Sequence, residues 1–181
     1  EKAPLSIELA RVNRELKRPR EAATALQDAI RAGGDEAALL PQVAVLLEES
    51  GRAAELSQVL ERLEALAEKA GDGDRAAALA LKRAKLIETS LGDTGQAIQR
   101  YAEVLARRPG DAQAIEALEK LLADEQHREE AARVLLGVFE AARDHRKEVQ
   151  VLQVIADSTK DAGERLIALQ RAAHVQGQFL K

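Results

Sequence analysis

At 181 residues the chain could hold one ordinary domain or a short array of repeats. Hydrophobic residues make up 46% and aromatic ones only 2%, so any core is built from Leu, Ala, Val and Ile, while 32% charged residues suit helices with one wet face. A net charge of −4 with both signs mixed argues against nucleic-acid binding, and the lack of cysteine removes disulfides, thiolate metal sites and thiol nucleophiles.

The chain opens with Leu5, Leu9, Val12 and Leu16 at helical spacing, predicting a first helix over residues 4–16. Pro19 suits the first turn of a second helix, where a missing N–H costs little. That helix carries Ala22, Leu26, Ala29 and Ile30 and ends at Gly33 and Gly34. A third, over 35–50, is expected to bury Leu40, Val43, Ala44 and Leu47, with Pro41 delaying its onset or kinking it. The run Val43 to Leu47 is the longest apolar stretch, far short of the roughly 20 residues that cross a bilayer, so no membrane insertion is expected.

Gly51 separates the third helix from a long fourth with Leu56, Leu60, Leu63 and Leu66, which ends at the Gly-Asp-Gly-Asp of residues 71–74. The fifth, over 74–90, offers Leu79, Ala80, Ala84 and Ile87. After Gly92 and Asp93, a sixth places Ala97, Tyr101, Val104 and Leu105 on one face and stops at Pro109 and Gly110. Asp111 is placed to cap the seventh, which uses Ile115, Leu118 and Leu122. The eighth uses Ala131, Leu135, Val138 and Phe139, and the ninth Val149, Leu152, Ile155 and Ala156. The tenth uses Leu166, Leu169, Ala173 and Val175. A longer echo aligns residues 79–87 with 167–175, and it marks the region 111–160 as the place for irregular packing.

The stretch 91–121, LGDTGQAIQRYAEVLARRPGDAQAIEALEKL, resembles the tetratricopeptide repeat, which pairs two antiparallel helices in about 34 residues and shows small, aromatic, small and proline positions in this order. The first pair repeats that order with Gly34 at the proline position. The resemblance implies an all-α fold, a right-handed α-α superhelix (a solenoid) of about ten antiparallel helices. Its approximate hairpins are 3–34, 35–72, 73–110, 111–144 and 145–181. By the same resemblance Arg83 occupies a position normally held by a buried Leu, so either the register shifts there or its stem lies along the groove. A first residue other than Met and a helical pattern that continues to Leu180 and Lys181 lead to the expectation of a fragment of a longer chain. Richness in Ala, Arg and Leu without Cys or Met resembles long repeat proteins of GC-rich bacteria.

Few residues suggest chemistry. His127, His145 and His174 have no His or Cys three or four residues away on the same face and read as bland surface histidines, and the Asp72-Gly-Asp74 turn lacks the further oxygens and closing Glu of a calcium loop, so no metal is expected. The serines stand outside any G-x-S-x-G elbow, and Gly92-Asp-Thr-Gly95 lacks the Gly-Lys-Ser/Thr of a phosphate loop. No enzyme activity and no cofactor are expected.

What remains is the surface. In the tetratricopeptide family the first helix of each pair lines a concave groove, and by resemblance the groove positions fall on Ile7, Arg11, Arg14 and Glu15, then Val45, Glu48 and Glu49. They continue with Leu81, Lys85 and Glu88, and then Gln113, Glu116 and Lys120. The Lys and Asn clamp by which some members hold a peptide carboxylate is missing, since Ile7, Arg11 and Gln42 stand in its place. The bland alternative for each charge is an (i, i+4) pair such as Arg11 with Glu15. The expected function is a non-catalytic scaffold that binds a partner peptide or helix in the groove, with partner-binding residues Arg11, Arg14, Glu48, Lys85, Glu88, Gln113, Glu116 and Lys120. The alternative is a structural spacer in a longer repeat protein, with self-association through exposed terminal helices. The expected location is the cytoplasm, with a periplasmic or surface assembly also compatible.

Overall fold

A computed structural model of the chain describes residues 2–180; Glu1 and Lys181, part of the expectation about continuing ends, lie outside the described residues. The fold is all-α. Among the described residues ten α-helices follow one another: α1 (Lys2–Glu15), α2 (Pro19–Arg31), α3 (Glu36–Glu49), α4 (Ala53–Lys69), α5 (Gly73–Leu86), α6 (Thr94–Arg107), α7 (Ala112–Leu121), α8 (Arg128–Ala142), α9 (His145–Ser158) and α10 (Ala162–Phe179). A π-helical turn, Ile87–Leu91, prolongs α5.

The described chain forms two compact units, residues 2–93 and 94–180. In the first, each helix from α1 to α5 packs on the next, and the π-helical turn also rests against α4. In the second, each helix from α6 to α10 packs on the next, and α6 also reaches α8.

Aspartates cap the starts of α3, α5, α7, α9 and α10. Asp35 accepts from the Ala38 N–H at 3.2 Å, Asp72 from Arg75 at 3.0 Å, Asp144 from Lys147 at 3.1 Å and Asp161 from Glu164 at 2.8 Å. Asp111 accepts from both Gln113 and Ala114, the capping role expected of it. Pro19 begins α2.

Left-handed residues follow α1 to α4, the π-helical turn and α8. Lys17, Gly33, Gly51, Gly71, Gly92 and Arg143 all have positive φ. At Gly51 the Arg52 N–H donates to Leu47 O at 2.9 Å and the Gly51 N–H to Glu48 O at 3.2 Å, which satisfies the last carbonyls and reverses the chain. Lys17 and Arg143 make the same pair of bonds with non-glycine side chains, at a steric cost. Gly34 has a different reason to be glycine: a Cβ there would lie 2.8 Å from Ala29 O and 3.1 Å from Leu39 Cδ1.

The interior helices bury most of the residues expected of them, among them Leu40, Val43, Leu47, Leu60, Tyr101, Leu135 and Leu152, while Ile30, Leu66, Leu79, Ile115, Leu122 and Val138 are half-buried. In the two terminal helices only Val175 of the expected residues is buried. In α1, Leu5, Leu9, Val12 and Leu16 are all exposed, and the buried positions are Ala10 and Asn13. In α10, Leu166 and Leu169 are exposed, Ala173 is exposed as well, and Ala168, Ala172 and Val175 face inward. Both helices approach their single neighbour on a small-residue face, which permits close contact, and turn the large side chains outward.

Three further expectations are revised or resolved. Pro41 does not delay the onset of α3, because the Asp35 cap fixes the start of the helix at Glu36 and the helix runs through the proline. Arg83 lies buried against α4, where its Nε donates to Ser57 Oγ at 3.4 Å and a terminal nitrogen pairs with Glu61 at 3.0 Å. The carboxylate it meets is itself 57% exposed, so the arginine's charge is carried to the rim of the interface. Between 111 and 160, α7 is cut to ten residues and a turn-rich stretch leads into α8.

Urea denaturation is expected to show Lys17→Gly and Arg143→Gly each stabilising by about 1 kcal/mol through relief of left-handed strain. Gly34→Ala is expected to cost about 2 kcal/mol by forcing side chain against backbone. Arg83→Leu is expected to stay within about 1 kcal/mol of the parent, since Glu61 remains hydrated, whereas Arg83→Ala loses about 2 kcal/mol through the cavity it leaves. Equal losses for the Leu and Ala variants would show that charge, not volume, is what Arg83 contributes.

Candidate binding clefts

Two concave clefts flank α3 in the first unit. One, of about 410 Å³, is lined by Arg14, Lys17, Arg18 and Pro19 from the α1–α2 turn region and by Leu46 and Glu49 of α3. The other, of about 430 Å³, is lined by Leu47, Glu48 and Gly51, by Ala53 and Leu56 of α4, and by Lys82, Lys85, Leu86, Thr89 and Ser90. The helices α1, α3 and α5 therefore contribute side chains to a row of two adjacent depressions, with α3 common to both.

The local causes are visible in the sequence. The left-handed turns at Lys17 and Gly51 bring each helix end back beside the next start, which opens a depression at the junction. The π-helical turn adds a residue to the last turn of α5 and carries Thr89 and Ser90 at the cleft edge. Thr89 Oγ1 donates to Lys85 O at 2.8 Å. Across the cleft Lys82 Nζ donates to Glu48 at 2.6 Å, a link between α5 and α3 with both partners near half exposure.

Of the residues expected to bind, Arg14 lines the first cleft together with Glu49, and Glu48 and Lys85 line the second. Arg11 lies on the open surface beside Glu8 and Glu15, the pairing foreseen as its bland alternative. Glu88 sits half buried in the π-helical turn. In the second unit Gln113 is exposed and Glu116 pairs with Lys120 at 2.7 Å on an open helix face. Lys17, Arg18, Lys82, Thr89 and Ser90 line the clefts and were not expected. Lys82 stands one turn before Lys85, a spacing that could have flagged it.

The second unit has a cleft of about 380 Å³ between α8, α9 and α10, lined by Arg133, Leu136, Leu152, Ile155, Glu164, Ile167, Ala168 and Arg171. Its cations are engaged: Arg133 bonds Glu129 and Glu164, which raise its pKa further, and Arg171 bonds Glu140. His145 stacks on Phe179 with ring centres 4.0 Å apart and bonds the buried Glu148 at 3.1 Å, so it is packed into its unit and is not the bland surface residue expected. His127 bonds Asp124 at 2.9 Å. Among the described residues no group of three or more His, Asp or Glu is disposed to hold a metal ion, and no helix is long and apolar enough to cross a membrane. Neither a protein-family model nor a curated protein sequence matches the chain.

The hydrogen bond from His127, then that from the Gln126 N–H, holds the Asp124 carboxyl below its ordinary value. A depressed carboxylate stabilises the folded chain fully above its unfolded pKa, and the contribution is lost as pH falls through the folded value. The difference in melting temperature between the parent and Asp124→Asn is therefore expected to be full at neutral pH, to begin to shrink as pH falls below about 4, the ordinary carboxylate range, and to vanish only in stronger acid, below the depressed folded value. A difference that persists unchanged into strong acid would show that the loop is held by packing alone.

Proposed function

We propose that this chain is a non-catalytic scaffold of tetratricopeptide-like helical hairpins that binds an extended or helical acidic segment of a protein partner along α1, α3 and α5. The row of two clefts around α3 carries this reading, because a single segment lying across α3 would meet both. Its chemistry suits an acidic ligand: Arg14, Lys17, Arg18, Lys82 and Lys85 line the clefts against Glu48 and Glu49. The apolar floor of Leu46, Leu47 and Leu56 offers burial for one or two side chains of the segment.

The spacer alternative draws on a different observation, the apolar faces that α1 and α10 turn to solvent. It concerns the ends of the helix series and leaves the clefts without a role.

A fluorescence-polarisation screen of acidic, neutral and basic peptides against the full chain tests the scaffold reading. Acidic peptides are expected to bind with dissociation constants of about 10 to 100 µM and to weaken as salt rises. Arg14→Glu with Lys85→Glu should weaken them by roughly tenfold or more, while Lys120→Glu, on the open face of α7, should not. Binding indifferent to peptide charge, or equally lost in the Lys120→Glu control, would remove the case for these clefts.

A further inference from the structure

The cleft between α3, α4 and α5 has two unlike walls. On one side Lys82, Lys85, Leu86, Thr89 and Ser90 recur at intervals of three, one, three and one, so a single face of α5 and its π-helical turn meets the depression. The polar side chains of that wall are two ammonium groups and two hydroxyls. Thr89 commits its proton to Lys85 O, so the lysines and Ser90 set the chemistry of the wall. Glu88 belongs to the same turn but does not line the cleft. On the other side α3 contributes Leu47 and Glu48, and among the described residues that line the cleft Glu48 carries the one carboxylate.

Glu48 answers the lysine wall across the depression, its Oε2 accepting from Lys82 Nζ at 2.6 Å. The two side chains are 56% and 46% exposed, so the glutamate can turn into water without leaving a buried charge behind. An ion pair of that exposure contributes little to stability, and a second carboxylate arriving from solvent replaces it bond for bond. Leu47, Leu56 and Leu86 line the same cleft. A segment that brings a carboxylate to Lys82 therefore also finds apolar surface for the side chain next to it, a gain that Glu48, tethered to α3, does not supply.

We propose that Lys82 is the seat of a ligand carboxylate, and that Glu48 holds this seat in the free protein and is displaced when an acidic segment binds. The inference rests on the reading of the clefts as an acidic-segment site and adds a resident competitor to it. Glu48 sets a threshold. A segment that presents a carboxylate beside an apolar side chain replaces the bond it breaks, whereas a neutral segment leaves Lys82 with Glu48 and gains the apolar contact alone. Glu48, expected from the sequence to bind the partner, opposes it at this position.

Fluorescence polarisation on the full chain with a labelled peptide of alternating Glu and Leu, beside its counterpart of Gln and Leu, tests the competition. Glu48→Gln is expected to tighten the Glu peptide roughly two- to fivefold, the range of an exposed ion pair, and to leave the Gln peptide unchanged. Lys82→Gln should weaken the Glu peptide and cancel the gain, so that the double variant binds no more tightly than Lys82→Gln alone. Both positions are near half exposure, so thermal melting should match the parent; if Glu48→Gln melts early, Glu48→Ala takes its place.

Unchanged or weaker binding by the Glu48 variant overturns the proposal and assigns the ion pair to holding α5 against α3. A gain of the same size in the Lys82→Gln background overturns it too, since that is the general effect of removing a negative charge. If the parent prefers the Glu peptide and Glu48→Gln brings no gain, the acidic-segment reading stands and only the competitor is lost. If the parent binds both peptides alike, that reading falls and this inference with it.

Discussion

Close approach of helices over small side chains is the constraint on which the rest of this structure depends. Buried alanines occur in every hairpin, from Ala22, Ala23 and Ala29 in α2 through Ala76, Ala77, Ala80 and Ala84 in α5 to Ala131 and Ala132 in α8. Such faces bring backbones together but bury little apolar area per residue, and at roughly 25 cal/mol per Å² they supply less stabilisation than Leu or Ile would. An interior helix makes up the difference on a second face, as α3 does with Leu39, Leu40, Val43, Leu46 and Leu47. A terminal helix has only one neighbour, and its large side chains are left in water.

That division explains where sequence pattern succeeded. Helix number and order were legible because punctuation marks every junction but that between α7 and α8: aspartate caps at Asp35, Asp72, Asp111, Asp144 and Asp161, and glycine or proline at other turns. Core positions of interior helices were largely legible because each packs on a neighbour at both sides, although Leu66, Leu79 and Leu136 are only half-buried. In α1 and α10 the same rule fails, since periodicity identifies an apolar face but not whether anything covers it. The left-handed Lys17 and Arg143 were hidden because neither residue type advertises positive φ. The π-helical turn was hidden because one extra residue per turn leaves little trace in a sequence this rich in Ala and Leu.

The clefts were legible in part. Groove positions transferred from the tetratricopeptide family placed Arg14, Glu48 and Lys85 at the depressions, since those positions depend only on which helix face points away from the hairpin partner. The cations of the turn, Lys17 and Arg18, fell outside that scheme because their placement follows from the left-handed reversal. In the second unit the same transfer reached Gln113, Glu116 and Lys120 on the shortened α7, where the side chains find one another or solvent. Local hairpin geometry therefore decides whether a family position becomes part of a cleft.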